Sequence, residues 1–290
     1  MPSEPTQSLV RLSLLTALFA ASVVATPARS EPSVPTPFTF TLVTPEADMT
    51  AREITQLLYK VKAGERMDLS GRDLTYLDLS TIDFKGASLA GTDLYGADFT
   101  GANLKGTDLT RARLDRAVLI RADLSGANLA GATILRPTIY SDLNSHLTDA
   151  PRFSGANLRG IKVQAELSGA DFRGADLTDA DFHPLEDRPG EGTLTTLRKN
   201  VVKSCDFSGA TLVRANFSEA VLTFSRMTGA NLTGANLAHA DLSMVDFQGA
   251  DLTDADFTGA DLDGANLAGA KGLETLKGFD TVKNLDKARR

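Results

Sequence analysis

The chain has no tryptophan, a single cysteine and three histidines in 290 residues. One cysteine, Cys205, excludes an intramolecular disulfide. His146, His183 and His239 are scattered, without the Cys/His spacing of a structural metal site. Aromatic residues make up 6%, so the rings that dominate an ordinary globular core are scarce. Long apolar runs are missing too: residues 12–25 fall short of the roughly 20 that cross a bilayer. No glycine-rich phosphate loop and no nucleophile–histidine–acid set can be assembled from the motifs present. The chain is therefore read as no enzyme, with no catalytic, cofactor-binding or metal-ligating residue to nominate and no cofactor implied.

What the chain has instead is one five-residue unit, repeated from Asp68 almost to the end. It reads A-(D/N)-(L/F)-(S/T)-G in its best copies, such as Ala127-Asn128-Leu129-Ala130-Gly131 and Ala260-Asp261-Leu262-Asp263-Gly264. Neither the 3.6-residue period of a helix nor the two-residue period of a strand returns a leucine at every fifth place. The backbone itself must turn every five residues, and the fold class expected is an all-β solenoid. Such an array lengthens without splitting its core, so one elongated domain is expected.

The net charge of −7 and pI near 5.1 follow largely from the same repeat. Asp68, Asp73, Asp78, Asp251, Asp256 and Asp261 all stand just before a central Leu or Phe, where a short polar side chain hydrogen-bonds neighbouring backbone. Most of the 24 glycines fall two residues after the centre, a place that suits the positive φ of a type II turn. Arg111, Arg116, Arg121 and Arg136 occupy it as well, and type I corners are expected there.

Ahead of the repeats, Arg11 precedes the apolar residues 12–25, and Pro27, Pro32, Pro35 and Pro37 follow. That layout marks residues 1–30 as a secretory signal peptide, with cleavage after Ala25 or Ser30. The expected location is periplasmic or secreted, and cytoplasmic if that reading fails. Residues 31–47 read as a linker, in which 38–43 alternate well enough for a short strand at an end of the solenoid. A helix is expected over 48–64. Thr50 and Glu53 form its capping box, Ile54, Leu57, Leu58 and Val61 its apolar face, and Gly64 its stop. Its role is to cover the open first coil.

Central residues then run without a slip from Leu69 to Ile139. Residues 140–152 break the pattern and read as a loop. Phe153, Leu158 and Val163 resume it, and Leu167, Phe172, Leu177 and Phe182 continue one residue out of phase. Residues 183–194 are a second insertion, after which Leu197 and Val202 read as degenerate repeats and Phe207 to Leu267 as regular ones. The repeat region is thus 65–270. Residues 271–290, with Leu273, Leu276, Phe279, Val282 and Leu285, are expected to form a C-terminal cap with a basic tail of Lys287, Arg289 and Arg290.

On these units the chain resembles the pentapeptide-repeat proteins. The resemblance implies a right-handed quadrilateral β-helix with four repeats in each coil. The central residue and the Ala two before it would point inward, and the other three positions outward. Residues twenty apart then stack, as Leu69, Leu89, Leu109 and Leu129 do, or Phe217, Leu237 and Phe257. About nine coils at ~4.8 Å make a rod about 43 Å long.

Within that frame Cys205 holds an inward Ala place and reads as a buried small hydrophobe. His146 and His183 sit in the two insertions and offer at most a metal pair. Lys85 and Lys105 are twenty apart and stack, as do Arg116 and Arg136, but Arg111, Arg116 and Arg121 fall on three different sides. Positive charge is thereby spread around the rod, so no direct nucleic-acid binding is expected. The sequons at Asn216 and Asn231 arise from the repeat alphabet. The function expected is an exported, non-catalytic binding or scaffold module for another macromolecule, a protein, with no stable membrane span and no oligomeric state implied. Its contact surface is expected at the two insertions. The alternative is a cytoplasmic DNA-mimicking protein that binds a type II topoisomerase, as the resemblance implies for some acidic members with interrupting loops.

Overall fold

The computed structural model describes residues 47–62, 64–141, 147–184 and 199–290. The expected signal peptide, residues 31–46 with the alternating 38–43, residues 142–146 of the first insertion with His146, and residues 185–194 of the second lie outside them. The described residues belong to one compact unit, Glu46–Arg290.

Parallel bridges join each residue before a centre to its counterpart one coil on: Asp68 to Ser88 and on to Asp108, Asp73 to Asp93, Asp78 to Asp98, and Asp83 to Asn103. Each coil thus has four sides, named here first to fourth after Leu69, Leu74, Leu79 and Phe84. The link is a pair of backbone hydrogen bonds. Leu69 N–H donates to the Ser88 carbonyl, and Ser88 N–H donates back to the Met67 carbonyl, both at 2.8 Å. Only Thr133–Leu135 (β1) and Lys162–Gln164 (β2), the latter at the four-residue step from Val163 to Leu167, lengthen into paired strands.

Central residues and the alanines two before them are buried, from Leu69 at 1% exposure to Leu267 at 1%. Each side chain is covered by its equivalents above and below, and Phe153, Phe172 and Phe207 make a continuous stack with ring centroids 5.0 and 4.8 Å apart. Where the inward Ala is replaced by a hydroxyl residue, the hydroxyl finds a carbonyl: Thr107 donates to Leu104 at 2.7 Å and Ser225 to Val202 at 2.7 Å. The residue before the centre does what its chemistry suggests. Its carboxylate accepts the N–H two residues on, as Asp98 does from Thr100 at 2.8 Å.

Four expectations change. The corner arginines are not in type I geometry: Arg111, Arg116, Arg121 and Arg136 have φ of 54° to 58°. The reason is the corner hydrogen bond. Arg116 N–H donates to the Leu135 carbonyl at 2.8 Å just as Gly91 N–H donates to Thr110 at 2.8 Å, so the turn is fixed by stacking and not by the residue in it.

The helix is shorter than 48–64. It spans Ala51–Lys60 (α1), with the Thr50–Glu53 capping box formed and Val61, not Gly64, as its C-cap. Ile54 and Leu58 sit in the core. Before it, Ala47-Asp48-Met49-Thr50 is itself a fragment of the repeat: Asp48 N–H donates to the Asp73 carbonyl, and its carboxylate accepts from Asp73 N–H, both at 2.8 Å.

Glu166 bridges Val201, which puts Val202 on the side directly after that of Phe182. No side remains for Leu197, which lies outside the described residues. The second insertion therefore extends beyond residue 194, nearly to Asn200.

At the C-terminus Arg289 is no loose tail. Lys271, Lys277, Lys283 and Arg289 bridge Asp251, Asp256, Asp261 and Asn266, so the last coil advances in six-residue steps. Gly272, Gly278 and Asn284, at φ 75°, 64° and 55°, each open a single 3-10 turn. The wider step brings Leu273, Phe279 and Leu285 against the core.

Candidate binding surface

The register assigns both insertions to the same side of the rod. The first leaves after Ile139, on the third side, and returns before Phe153 on the fourth. The second leaves after Phe182, on the second side, and returns at Val202 on the third. They occupy the two corners that border the third side, two coils apart. Among the described residues, this is the side whose ladder of bridges skips a step, between Thr138 and Glu166.

The feet of the insertions are pinned by polar contacts. Tyr140 Oη donates to Glu166 Oε1 at 3.1 Å, and burial, then the Glu166 charge, pushes the Tyr140 phenol well above its ordinary pKa. Ser168 N–H and Oγ donate to the same Glu166 oxygen. Ser141 Oγ donates to Asp149 Oδ2 at 2.8 Å, and Arg121 N–H to the Asp149 carbonyl at 2.7 Å. At the second insertion, His183 Nδ1 and Ser218 Oγ are 2.8 Å apart. Asn200, fully buried, accepts from Ala165 N–H and donates to the Val163 and Phe182 carbonyls. It closes the coil where the shortened step and the insertion meet.

One corner of the four differs from the rest, since the corner following the first side also carries non-glycine residues at the left-handed position, Arg111, Asp179, Arg214 and Asp254. At the corner following the fourth side, the left-handed position is Gly in every coil, from Gly86, Gly106 and Gly126 to Gly249 and Gly269. Beside the third side the same conformation is carried by Tyr76, Arg116, Arg136, Glu219 and His239 on one edge and by Thr81, Arg121, Ser204, Phe224 and Met244 on the other, at φ between 53° and 62°. A bulky residue there costs about 1–2 kcal/mol of backbone strain. Phe224 and Met244 are also 64% and 54% exposed, and Leu147, at the foot of the first insertion, is 54% exposed against Gly169. Three exposed apolar side chains line one edge.

The remaining sequence candidates have local roles. Cys205 is buried and its Sγ lies 3.2 Å from the Leu167 carbonyl; burial raises its thiol pKa far above the ordinary value. Its environment disfavours the thiolate a nucleophile needs. Among the described residues no group of His, Cys, Asp and Glu is placed to hold a metal ion, and no helix is long and apolar enough to cross a membrane. His239 packs at a corner over Gly259. Lys85 and Lys105 stack one coil apart, as Asp83 bridges Asn103, but each ammonium is engaged locally: Lys85 Nζ donates to the Leu58 carbonyl at 2.9 Å and Lys105 pairs with Asp123 at 3.2 Å. Asn216 and Asn231 accept from the N–H and hydroxyl two residues on, as the Asp residues do.

Stacked five-residue sides, an aliphatic column and corner side chains free to vary define a repeat protein whose surface is separable from its core. The family model of pentapeptide repeats matches residues 68–101, 97–134, 152–183, 203–237 and 230–269, more than half of the chain, and the chain belongs to that family. No curated protein matches it.

Among solved structures it is similar to HetL, a pentapeptide repeat protein involved in heterocyst differentiation regulation in the cyanobacterium Nostoc sp. strain PCC 7120. Identity is 26%, covering 83% of this chain and 94% of that one, with a TM-score of 0.38. It is also similar to QnrB1, a plasmid-mediated fluoroquinolone resistance protein, at 19% identity over 68% of this chain and 88% of that one, TM-score 0.32. A third likeness is a pentapeptide repeat protein of the Arabidopsis thaliana thylakoid lumen, at 29% identity over 42% and 66%, TM-score 0.16. Membership of the family rests on the repeat, not on these superpositions.

Proposed function

We infer that the protein is a non-catalytic binding module, a right-handed square rod capped by α1, that holds a protein partner against its third side. The observation that carries this reading is the convergence on one side of both insertions and of the exposed Leu147, Phe224 and Met244. Tyr76, His239 and Met244 pack over Gly96, Gly259 and Gly264 one coil on, whereas Phe224, 64% exposed at its left-handed corner, is a side chain suited to recognition more than to folding. Apolar anchors flanked by Arg and Tyr have the composition of an interface core. The rigid ladder supplies a surface that loses little entropy on binding.

The rod is also read as exported, on residues 1–30. Mass measurement of the N-terminus of the protein recovered from its native cell tests that part: a mature chain beginning at residue 26 or 31 supports it, and an intact Met1 overturns it and restores the cytoplasmic topoisomerase reading. The binding surface is tested by chemical cross-linking of the full chain in its native compartment. Cross-links from Lys203 to a partner protein, lost when residues 141–150 and 184–199 are replaced by single repeat corners, are expected. Partner recovery that survives this replacement overturns the third side as the contact surface.

A further inference from the structure

Along the edge between the second and third sides, just below the foot of the second insertion, lies a cleft of about 160 Å³ lined by Tyr95, Asp115, Arg116, Leu135, Arg136 and Gln164. Gln164 is only 7% exposed, and its side-chain carbonyl oxygen is buried without a hydrogen-bond donor. An orphaned buried acceptor costs about 1–3 kcal/mol, so a ligand that brings a donor to it gains by that contact. Arg116 and Arg136 stack one coil apart at the mouth, and neither guanidinium has an ion pair among the described residues. The carboxylate that faces the cleft is already engaged. Asp115 Oδ1 accepts from Thr133 Oγ1 at 2.8 Å and Leu135 N–H at 3.2 Å, and Asp115 Oδ2 from Arg113 Nε at 3.0 Å. Arg113 is itself fixed between Asp93, at 3.0 Å, and the face of Tyr95, 4.5 Å from its centroid. Two unpaired cations and one unpaired acceptor therefore remain.

We propose that this cleft binds one acidic side chain of an extended partner segment, whose carboxylate lies between Arg116 and Arg136 while an adjacent backbone N–H donates to Gln164 Oε1. A drug-sized ligand needs a pocket of about 300 Å³ or more; this cleft admits one functional group projecting from something larger. Guanidinium forks favour a planar carboxylate. The chain as a whole, at a net charge of −7, repels an acidic segment, so the cleft also sets the register of the segment that reaches it. The proposal deepens the protein-binding reading and rests on it.

The test is titration of the full chain with N-acetyl-aspartate N-methylamide, followed by the NMR signals of the arginine Nε–H groups. Selective saturable shifts at Arg116 and Arg136 are expected, with none from the neutral asparagine analogue. Arg116→Ala/Arg136→Ala should weaken binding by about tenfold or more, Gln164→Leu should weaken it while leaving the affinity for acetate alone unchanged, and Arg111→Ala, on another edge, should have no effect. Inorganic phosphate binding as tightly as the aspartate derivative makes the cleft a general anion site and overturns the proposal. So does an absence of shifts. If the cleft stays silent while cross-linking at the insertions persists, the proposal fails and the protein-binding reading stands; the converse outcome rejects that reading alone.

Discussion

Two corners of the same rod, one after the fourth side and one after the third, have the same backbone and opposite sequences. The first is Gly in every coil; the second carries Phe224 and Met244 at the same left-handed φ. The hydrogen bonds are alike: Gly229 N–H reaches the Gln248 carbonyl at 2.9 Å, and Phe224 N–H the Ser243 carbonyl at 3.1 Å. Stacking thus dictates the turn, and the residue in it is free to vary at a modest cost. The rod keeps one all-glycine edge, after the fourth side, and accepts bulky left-handed residues along the other three.

The largest effect tests whether the two edges share one core. Phe172→Ala, in the three-ring stack beneath the all-glycine corner, should cost about 3–5 kcal/mol, and Leu222→Ala, inside the third side, about 2–5 kcal/mol, both by equilibrium denaturation. A much smaller loss at Leu222 would mean that the third side is loosely packed and that its exposed residues reflect poor packing, not recognition. Asn200→Ala, which leaves the Ala165 N–H and two carbonyls without their partner, should follow at roughly 2–3 kcal/mol. It should also loosen the second insertion, which hydrogen exchange at Ala165 would report.

Next comes the corner itself. Gly126 has φ +65° and open space where a Cβ would stand, so Gly126→Phe isolates the conformational cost, about 1–2 kcal/mol. A neutral result would show that the left-handed corners of the third side carry no strain at all.

The smallest effect is electrostatic. The Thr253 hydroxyl and N–H, with Lys271 adding its charge, hold Asp251 below its ordinary pKa, and the Ser70 hydroxyl and N–H do the same for Asp68. A lowered folded pKa gives stability that is present above the unfolded carboxylate value of ~3.9 and is lost as the pH falls through the folded value. The melting temperature should therefore be flat from pH 7 to about pH 5 and decline below pH 4. Thr253→Val should make that decline shallower, since the native carboxylate then loses its hydroxyl donor.

The core was legible because its chemistry is periodic. Leu69, Leu89 and Leu109 stack as their spacing requires, Cys205 is buried in an alanine place, and the Thr50–Glu53 box starts α1. The apolar residues of the C-terminal cap were read from the sequence and pack on the core, but the six-residue step of that cap and the repeat fragment before α1 were missed because their periods are short or broken. The K-(G/N)-(L/F)-(D/E) unit at Lys271, Lys277 and Lys283 recurs every six residues, and a five-residue template passes over it. Ala47-Asp48-Met49-Thr50 is a single copy, with no second to announce it. The arginine corners were misjudged because residue preference was weighed ahead of the inter-coil hydrogen bond that overrides it.

The binding surface was readable only in part. That the insertions bracket one side follows from counting register across them, but the missing residue between Val163 and Leu167 shifts the count. The cleft at Gln164 needs coordinates, since its lining comes from Tyr95, Arg116, Arg136 and Gln164, spread over four coils.

The corners of the third side hold Arg116, Phe224 and Met244 against the conformational preference of L residues. The measurement that reaches this strain most directly is the denaturant midpoint of the full chain carrying Arg116→Gly, Phe224→Gly and Met244→Gly. Relief of strain at about 0.5–1 kcal/mol each should raise the midpoint; a lower midpoint than that of the unchanged chain would show that these side chains support the fold, and would contradict the claim.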